Sequence, residues 1–487
     1  MANAGAGRVA RLGRFLFGFS TRVTRREYAF VGFALTILKV AIDAALMTLW
    51  LGGRLSFPLH YLAPLQAFFG TMASQGVVWW QFLLFLWTLP FLWIGVSMTV
   101  RRAVDAGGSP WLGILFFVPY LNYALMLILC VLPTRSEARW EPVGKALATA
   151  LPLGAWFAIV LFVSGVGLGL ALLHSVVLRR YGLALFLGVP FATGALAGYL
   201  ANRDAPRSWG ATLGVALVSQ VAVGAGLLVV AVEGLVCLLM ALPLSLTLAG
   251  LGAFLGREIA LRRPESPVVA GCLLCLLPAV DAARAPPRPE TAVVLTAIEV
   301  AAPPEIVWRH VVSFSELPPP REWLFRSGVA YPVRASLTGR GVGAVRHCEF
   351  STGAFVEPIT VWDAPRRLAF DVARSPIPME EWSPYRKVYA AHLDGGFRSR
   401  HGEFRLIALP HGRTRLEGRT WYTLDLHPVA YWNLYAQAIV HAIHGRVLEH
   451  VRRLAERDAG LTTRVDADER GRSIGRGAGL DPVVRVP

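Results

Sequence analysis

Apolar residues dominate the first 283 positions of the chain and occur in windows of membrane-spanning length. A helix needs about 20 apolar residues to cross a hydrocarbon core. Each unpaired backbone group in hydrocarbon costs several kcal/mol, so such windows form helices rather than open strands. The predicted spans cover about 28–51, 77–100, 111–132, 148–172, 183–201, 211–232, 235–255 and 268–283. The pattern therefore predicts a polytopic α-helical membrane region.

The pattern changes near residue 288, after the stiff segment Pro286-Pro287-Arg288-Pro289. Short runs with apolar alternation follow, separated by Gly, Asp-Ala-Pro and Pro-His-Gly turns, which is typical of antiparallel strands. The predicted strands cover about 292–300, 329–337, 342–350, 353–363, 366–374, 399–409 and 413–424. A helix is predicted after Pro303-Pro304, and an amphipathic helix over about 428–457 closes the region. This order predicts an α+β domain whose sheet packs on the long C-terminal helix.

These changes divide the chain into a membrane domain at 1–140, a second helical block at 141–285, a sheet-containing domain at 286–460 and a tail at 461–487. The tail lacks an apolar period and is expected to be disordered. Hydrophobic residues make up 54% of the chain and charged residues 16%, a balance that excludes an ordinary soluble protein. The net charge of +16 comes mainly from arginines at helix ends and in the tails. We therefore expect contact with membrane lipids rather than nucleic acid.

Arginines from Arg8 to Arg26 precede the first predicted span and place the N-terminus in the cytoplasm under the positive-inside rule. The side on which residues 286–460 lie depends on segment 111–132. If this segment crosses fully, three later basic loops fall outside. If it re-enters with a bend near Pro119, those loops return inside, and the C-terminal domain lies outside provided that 268–283 spans. The second alternative fits the rule better, and both stay open.

Two patches in the first 133 residues carry a family resemblance. The first is Phe19-Ser20-x-Arg22-x-x-Arg25-x-Glu27-Tyr28, and the second is Arg101-Arg102-x-x-Asp105-x-Gly107-x-Ser109-x-Trp111 followed by Pro119-x-x-Asn122. They resemble the family called domain of unknown function 805, with departures at Val104 and Pro110, where that family typically has histidine and glycine. The resemblance implies a multi-pass protein of the bacterial inner membrane and no particular activity. Physically, we interpret the arginines as interfacial anchors at the depth of lipid phosphates.

Few polar residues interrupt the apolar windows. Lys39 and Asp43 lie four residues apart on one helix face, and we interpret them as a structural ion pair rather than a proton path. Glu233 stands at the joint of two apolar runs and is interpreted as a surface turn. Small residues in the block at 148–283, as in Gly165-x-Gly167-x-Gly169, predict close helix packing.

Two residue pairs invite a metal interpretation. Cys272 and Cys275 lie in an apolar window with no His or acidic residue nearby, so we interpret them as packing residues. His441 and His444 share a face of the final helix, but no third ligand follows at helical spacing. The sequence therefore predicts no metal site and no cofactor.

Four short motifs occur in order between Ile298 and Gly418 of the C-terminal domain. They are Ile298-Glu299-Val300-x-x-Pro303-Pro304-x-x-Val307-Trp308, Gly341-Val342-Gly343-x-Val345-Arg346, Trp362-Asp363-x-Pro365-x-Arg367-Leu368 and Arg415-Leu416-x-Gly418. They are similar to motifs of the START-like superfamily, which includes polyketide cyclases, lipid-transfer domains and the birch pollen allergen family. The resemblance implies a helix-grip fold, in which a curved antiparallel sheet wraps a long C-terminal helix. It also implies a cavity between them for an apolar or aromatic ligand.

Large side chains of this domain are candidates for the wall of that cavity, although core packing needs such side chains as well. The candidates are Tyr331, Phe355, Trp362, Phe370, Phe404, Trp421, Trp432 and Tyr435. His347 and Glu349 alternate on one strand and share a face, opposite to Arg346 and Cys348. If their face lines the cavity, they could perform acid–base chemistry on a ligand. If it is the outer face, they are a solvated pair.

Three hypotheses of function follow. The leading one is a membrane-anchored, non-enzymatic protein that binds or transfers an apolar lipid, isoprenoid or polyketide-like molecule. The first alternative is a cyclase or dehydratase that uses His347 and Glu349, although no nucleophile elbow or phosphate loop supports it. The second alternative is a sensor or assembly domain for a membrane-protein partner, which predicts an apolar outer patch instead of an open cavity.

Overall fold

The computed structural model describes residues 2–50, 78–117, 121–135, 151–262, 291–385, 388 and 390–460. These residues form two compact units. The first unit contains the described parts of Met1–Arg288 together with Glu381–His392 and Asp425–Trp432. The second contains the described parts of Pro289–Glu380, Leu393–Leu424 and Asn433–Pro487. The predicted span at 268–283 and the predicted tail at 461–487 lie outside the described residues.

The first unit is helical. Its α-helices are α1 (Ala2–Phe17), α2 (Arg25–Trp50), α3 (Val78–Asp105), α4 (Leu121–Val131), α5 (Leu153–Leu172), α6 (Val189–Asn202), α7 (Trp209–Val229) and α8 (Leu235–Arg262). π-helical turns at Leu173–Val177 and Ala184–Gly188 follow α5 and precede α6. Within the described ranges, five helical stretches are long and apolar enough to cross a membrane, namely Arg25–Leu46, Leu153–Val177, Ala184–Asn202, Trp209–Val229 and Leu235–Arg262. The predicted helical membrane region is confirmed.

The described part of segment 111–132 is not one uniform α-helix. It contains a 3-10 helix at Pro110–Phe117 and the α-helix α4, which has only 11 residues. That length is about half of what a crossing helix needs. Residues 118–120, where the other alternative placed its bend, lie outside the described residues, so the choice between the two alternatives stays open.

Close helix packing occurs within the block at 148–283, where it was predicted. A Cβ at Gly194 of α6 would lie 2.1 Å from a carbonyl oxygen of α8, and one at Gly256 of α8 would lie 1.9 Å from a carbonyl oxygen of α6. Only glycine allows the two backbones to approach this closely. Gly167 also packs against α7, whereas a Cβ at Gly165 or Gly169 would meet no atom within 4 Å.

The predicted ion pair between Lys39 and Asp43 forms on α2. The indole nitrogen of Trp87, on α3, donates a hydrogen bond of 3.2 Å to Asp43. The pair therefore joins two helices, in agreement with the structural interpretation and with the high cost of a lone charge in this medium.

The two sequence motifs of the first unit meet at Asp105, which is fully buried at the end of α3. Its oxygens lie 2.5 Å from Arg22 Nε and from Arg102 Nη1, and one accepts a hydrogen bond of 2.7 Å from Thr134 Oγ1. We call these four residues the Asp105 cluster. Arg101 and Arg102 are 1% and 0% exposed and also donate to backbone carbonyls. Their interpretation as interfacial anchors was wrong, because protein atoms enclose both guanidinium groups.

The second unit is built on an antiparallel sheet, and every predicted strand and the long final helix are confirmed. Its elements are β1 (Thr291–Val300), α9 (Pro304–Val312), α10 (Trp323–Arg326), β2 (Pro332–Thr338), β3 (Val345–Phe350), β4 (Gly353–Asp363), β5 (Arg367–Asp371), β6 (Phe397–Leu409), β7 (Arg413–Leu424) and α11 (Val429–Asp458). The seven strands follow the order β1-β7-β6-β5-β4-β3-β2. From Asn433 onward α11 belongs to this unit.

One face of the sheet, the concave face, packs on α9 and α11. Val447, Leu448, Val451 and Ala455 of α11 are buried in the same cluster as inward side chains of the strands, such as Leu416. This spacing of three and four residues lays one helical face on the sheet, as the apolar period predicts. A curved antiparallel sheet on a long C-terminal helix is the helix-grip fold.

Candidate ligand site of the second unit

Alternation along β3 decides which side chains face the interior. Arg346 and Cys348 are 2% and 5% exposed and point to the concave face. His347 and Glu349 lie on the opposite, convex face, where Glu349 accepts a hydrogen bond of 2.7 Å from Arg334. The pair proposed for acid–base chemistry is therefore at the outer side of the sheet.

The concave face holds a buried ion pair between Arg346 and Glu357. The two residues are direct partners on β3 and β4, so the register of this hairpin brings them together. The guanidinium carbon of Arg346 lies 5.3–5.6 Å from the ring centres of Phe314, Phe370 and Phe404. We call these five residues the Arg346 core.

The Arg346 core is electrostatically costly. Burial raises the pKa of the Glu357 carboxyl, and the Arg346 guanidinium opposes that rise. The Nε of Arg346 is buried and makes no hydrogen bond with the part of the chain that the structure describes. Replacing such a pair by apolar residues is often neutral or stabilising, so packing alone does not explain its presence.

A cleft of about 390 Å³ opens beside this core. It lies between the end of α9, the strand β2 and α11, and its lining residues are His310, Ser313, Phe314, Ser315, Ala335, Ser336, Leu337 and Leu454. Its volume falls within the range of about 300–1,000 Å³ that is typical of small-molecule sites. Phe314 belongs both to the cleft wall and to the Arg346 core, so the cleft lies next to the buried ion pair at this residue.

The segment that carries Phe314 is held at several points. Its backbone exchanges hydrogen bonds of 3.1 and 3.2 Å with Ala335 of β2. The carbonyl of Ser315 accepts from His450 Nε2 at 3.2 Å. At the end of the cleft, His310 Nε2 lies 2.9 Å from a carboxylate oxygen of Asp458. The backbone of this part of the wall is therefore fixed.

Half of the predicted wall residues lie on the concave face. Phe370 and Phe404 belong to the Arg346 core, Phe355 packs on Phe350, and Trp362 contacts Trp308 with ring centres 5.6 Å apart. These contacts bring four of the eight candidates into the interior of one unit.

The other four lie elsewhere. Trp421 lies on the convex face, because its neighbour Tyr422 is the buried one, and its ring makes an edge-to-face contact with His401. Trp432 belongs to the first unit, where its ring centre is 4.7 Å from that of Phe186. Tyr331 is half-buried near Phe325, and Tyr435 is half-buried on α11. Sequence alternation alone did not separate these positions from the interior ones.

The histidines of α11 are explained by threonines of the sheet. His444 lies between Thr296 Oγ1 of β1 at 3.0 Å and Thr420 Oγ1 of β7 at 2.8 Å, and His441 also reaches Thr296 at 2.8 Å. Burial, together with the smaller effect of the nearby His441, lowers the pKa of His444 to about 4. These contacts satisfy both ring nitrogens of His444 without a metal ion.

We predict that His444 makes the second unit less stable in acid. The unfolded chain has a histidine pKa of about 6.5, so between that value and about 4 the unfolded state binds more protons. The free energy of unfolding therefore keeps its full value above about pH 6.5. It falls by on the order of 3 kcal/mol as the pH drops from there through the folded pKa. Thermal unfolding of the full-length protein in detergent at neutral pH and at about pH 5 measures this loss. His444→Gln should remove most of this dependence of stability on pH. His401→Gln, on the convex face, should leave the dependence unchanged.

The sequence reasoning missed Glu357, the serines of the cleft and the role of Arg346. One signal for the ion pair was available. A tight turn at residues 350–353 pairs Phe350 with Gly353, and the same register places position 346 opposite position 357. Two opposite charges facing each other on the inner side of a hairpin predict a cross-strand ion pair.

Residues 16–142 match the family model described as "Protein of unknown function (DUF805)". The match confirms the resemblance of the N-terminal segment and includes the whole Asp105 cluster. It covers less than half of the chain. A comparison with curated proteins found no match.

Solved structures with a related fold include two enzymes. The Zhui aromatase/cyclase from Streptomyces sp. is 16% identical, with 35% of this chain and 96% of that chain covered and a TM-score of 0.24. A norcoclaurine synthase point mutant from Thalictrum flavum, in complex with a transition-state analogue, is 13% identical, with 35% and 98% covered and a TM-score of 0.23. At these identities the likeness concerns the fold alone, and the helix-grip assignment rests on the strand order and helix packing described above.

Proposed function

We propose that this membrane protein uses its helix-grip unit to bind a small, mainly apolar molecule with one polar group. The observation that carries the proposal is that Phe314 lines the cleft and also packs against Arg346. A rotation of its side chain would join the cleft to the ion pair. The polar group of the ligand would then meet Arg346 and Glu357 while its apolar part packs on the phenylalanine rings.

The lining of the cleft suits such an amphipathic molecule. Leu337, Leu454 and Phe314 supply apolar surface, whereas Ser313 and Ser336 supply hydroxyl groups. Small-molecule sites typically combine a mostly apolar wall with a few well-placed polar groups. A lipid, an isoprenoid or an aromatic polyketide-like molecule has this chemistry, and the five membrane-length helices would keep the unit close to a lipid source.

The convex position of His347 and Glu349 weighs against the cyclase or dehydratase alternative. A general base must lie within hydrogen-bond reach of the proton that it abstracts. A ligand between sheet and helix would be separated from these two side chains by the sheet itself. We therefore propose binding or transfer rather than catalysis.

Native mass spectrometry of the full-length protein released from detergent micelles tests the proposal. We expect an apolar adduct that copurifies with the protein, or that forms on addition of palmitic acid, farnesol or 2-naphthol. Leu337→Arg places a charge in the cleft wall and should abolish the adduct. Ile407→Arg is the matched control, because Ile407 is 44% exposed on β6 and lies outside the cleft lining. An adduct that persists in Leu337→Arg, or the absence of any adduct in the wild type, would contradict binding in the cleft.

A further inference from the structure

Five polar side chains gather at one end of the helices of the first unit. Tyr181 lies in the turn between α5 and α6, Glu233 lies in the turn between α7 and α8, and Cys237 lies in the first turn of α8. Glu381 and His392 come from the short segment Glu381–His392, which belongs to the same unit. Glu233 is 7% exposed, so its interpretation as a surface turn was wrong.

Three of these side chains offer ligand atoms at metal-binding distances from one another. His392 Nε2 lies 3.1 Å from Cys237 Sγ, and a carboxylate oxygen of Glu381 completes a group whose atoms all lie within 4.8 Å of one another. Ligands of a tetrahedral zinc ion, with bonds of about 2.0–2.3 Å, are roughly 3.5 Å apart. Small side-chain adjustments would therefore place one ion among the three atoms.

Glu381 is the residue that packing does not explain. Both of its oxygens are buried, and neither forms a hydrogen bond of good geometry with the described residues. The Cys237 thiol and backbone and the His392 ring are its polar neighbours. A buried carboxylate that lacks well-formed hydrogen bonds costs free energy, and a bound cation would offset that cost.

The remaining two residues lie on the other side of the histidine. His392 Nδ1 is buried and lies 3.3 Å from one oxygen of Glu233, without hydrogen-bond geometry. The other oxygen of Glu233 accepts a hydrogen bond of 2.6 Å from the Tyr181 hydroxyl. A metal-bound histidine almost always directs its second nitrogen to a carboxylate or carbonyl, which fixes the tautomer and the ring. A small rotation that brought Nδ1–H onto Glu233 would leave the lone pair of Nε2 directed at the position between Cys237 and Glu381.

The backbone positions the segment for this role. The amide of Leu235, next to the ligand-bearing turn of α8, donates to the carbonyl of Trp382 at 2.8 Å. A Cβ at Gly234 would lie 2.1 Å from an oxygen of Glu381, so a glycine is needed for the carboxylate to reach Cys237. The segment therefore docks where its carboxylate and imidazole complete a ligand set on α8.

We propose that Cys237, Glu381 and His392 bind a Zn²⁺ ion, with Glu233 and Tyr181 positioning His392. A thiolate, an imidazole and a carboxylate together suit zinc, whereas Mg²⁺ and Ca²⁺ prefer oxygen ligands alone. Three protein ligands leave a fourth position for water or a small ligand, the pattern of zinc sites that are not purely structural. The alternative is a nucleophile triad of Cys237, His392 and Glu233. That interpretation leaves the buried Glu381 unexplained, and it places the negative charge of Glu381 beside the thiolate of Cys237.

Cobalt substitution of the full-length protein tests the site. The protein is purified in detergent with a tag that contains no histidine, stripped with EDTA and titrated with Co²⁺. We expect a single equivalent to bind, with a thiolate-to-cobalt charge-transfer band and visible bands of tetrahedral intensity. Added Zn²⁺ should displace the cobalt and slow the alkylation of Cys237 by iodoacetamide.

Variants separate the proposed ligands from other sources of binding. Cys237→Ser and His392→Ala should each lose the charge-transfer band or the tetrahedral spectrum, and Glu233→Gln should weaken binding by about 10- to 100-fold. Cys130→Ser and the double variant Cys272→Ser/Cys275→Ser are the cysteine controls and should keep the band. A wild-type protein without the band, or a band that survives Cys237→Ser, would overturn the proposal. Equal rates of Cys237 alkylation with and without Zn²⁺ would also overturn the proposal. That result would favour Cys237 as a nucleophile.

Discussion

Replacing Asp105 with asparagine is expected to lower the free energy of unfolding of the helical unit by about 3–5 kcal/mol. Asp105 is fully buried and compensates Arg102, which is also fully buried, as well as Arg22. Asparagine keeps the shape of the side chain but leaves the Arg102 charge enclosed without a counter-charge. Removing one partner of a buried pair is costly because the other partner stays desolvated.

The apparent melting temperature of the detergent-solubilised protein, followed by tryptophan fluorescence, measures this effect. A loss of that size corresponds to a decrease on the order of 10 °C. Asp204→Asn provides the matched control, since Asp204 is 78% exposed and pairs with an exposed Arg203. Its effect should stay below about 1 kcal/mol. Equal decreases for the two variants would show that the Asp105 cluster does not stabilise the unit in the proposed way.

The Asp105 cluster also gives a physical meaning to the sequence motifs within residues 16–142. Arg22 comes from the first patch, and Arg102 and Asp105 come from the second. Their contacts tie the entry of α2 to the end of α3, and Thr134 adds the segment that follows α4. The motif residues therefore hold the fold of the first unit together, and none of their contacts implies catalysis.

Replacing Glu357 with leucine is the second change with a large expected effect, a loss of about 3–5 kcal/mol in the second unit. The leucine leaves the Arg346 guanidinium buried among three phenylalanine rings with no carboxylate partner. The double variant Arg346→Met/Glu357→Leu removes both charges and should recover most of that stability. Thermal unfolding of the wild type, the two single variants and the double variant forms a double-mutant cycle that measures the coupling.

The pair of Arg334 and Glu349 on the convex face is the internal control for this cycle. It joins the neighbouring strands β2 and β3, but its side chains are 57% and 37% exposed. Its truncation should cost less than about 1 kcal/mol. The double variant of the Arg346 core also separates stability from function, because it should fold and yet fail to retain a ligand with a polar group. Full ligand retention by that folded variant would remove the ion pair from the proposed binding mode.

Much of the architecture follows from local patterns. A strand shows as a period of two and a helix as a period of three to four, so β1 to β7 and α11 were predicted near their observed bounds. The membrane-length windows were equally visible, because an uninterrupted run of about 20 apolar residues matches the thickness of a hydrocarbon core. Lys39 and Asp43 were predicted to pair since both lie on one helix, four residues apart.

The sequence by itself thus determined the element types, their order, the membrane character of the first part and the helix-grip order of the second. Alternation also showed that Arg346 and His347 face opposite sides of β3. Which of the two faces the interior was decided only by the packing of α9 and α11 on the sheet. The same packing placed Trp421 on the convex face, and the division into units placed Trp432 in the first one.

Tertiary structure alone brought together the groups proposed for zinc. Cys237 and His392 are 155 residues apart, and Glu233 and Tyr181 stand in turns that carry no metal-binding spacing. Local sequence patterns report only on neighbours within one helix or strand, because only there does a fixed backbone period tie spacing to direction. Contacts between distant segments depend on how the helices cross and where the segment Glu381–His392 docks. The polar residues on which both proposals rest became recognisable as sites only through those contacts.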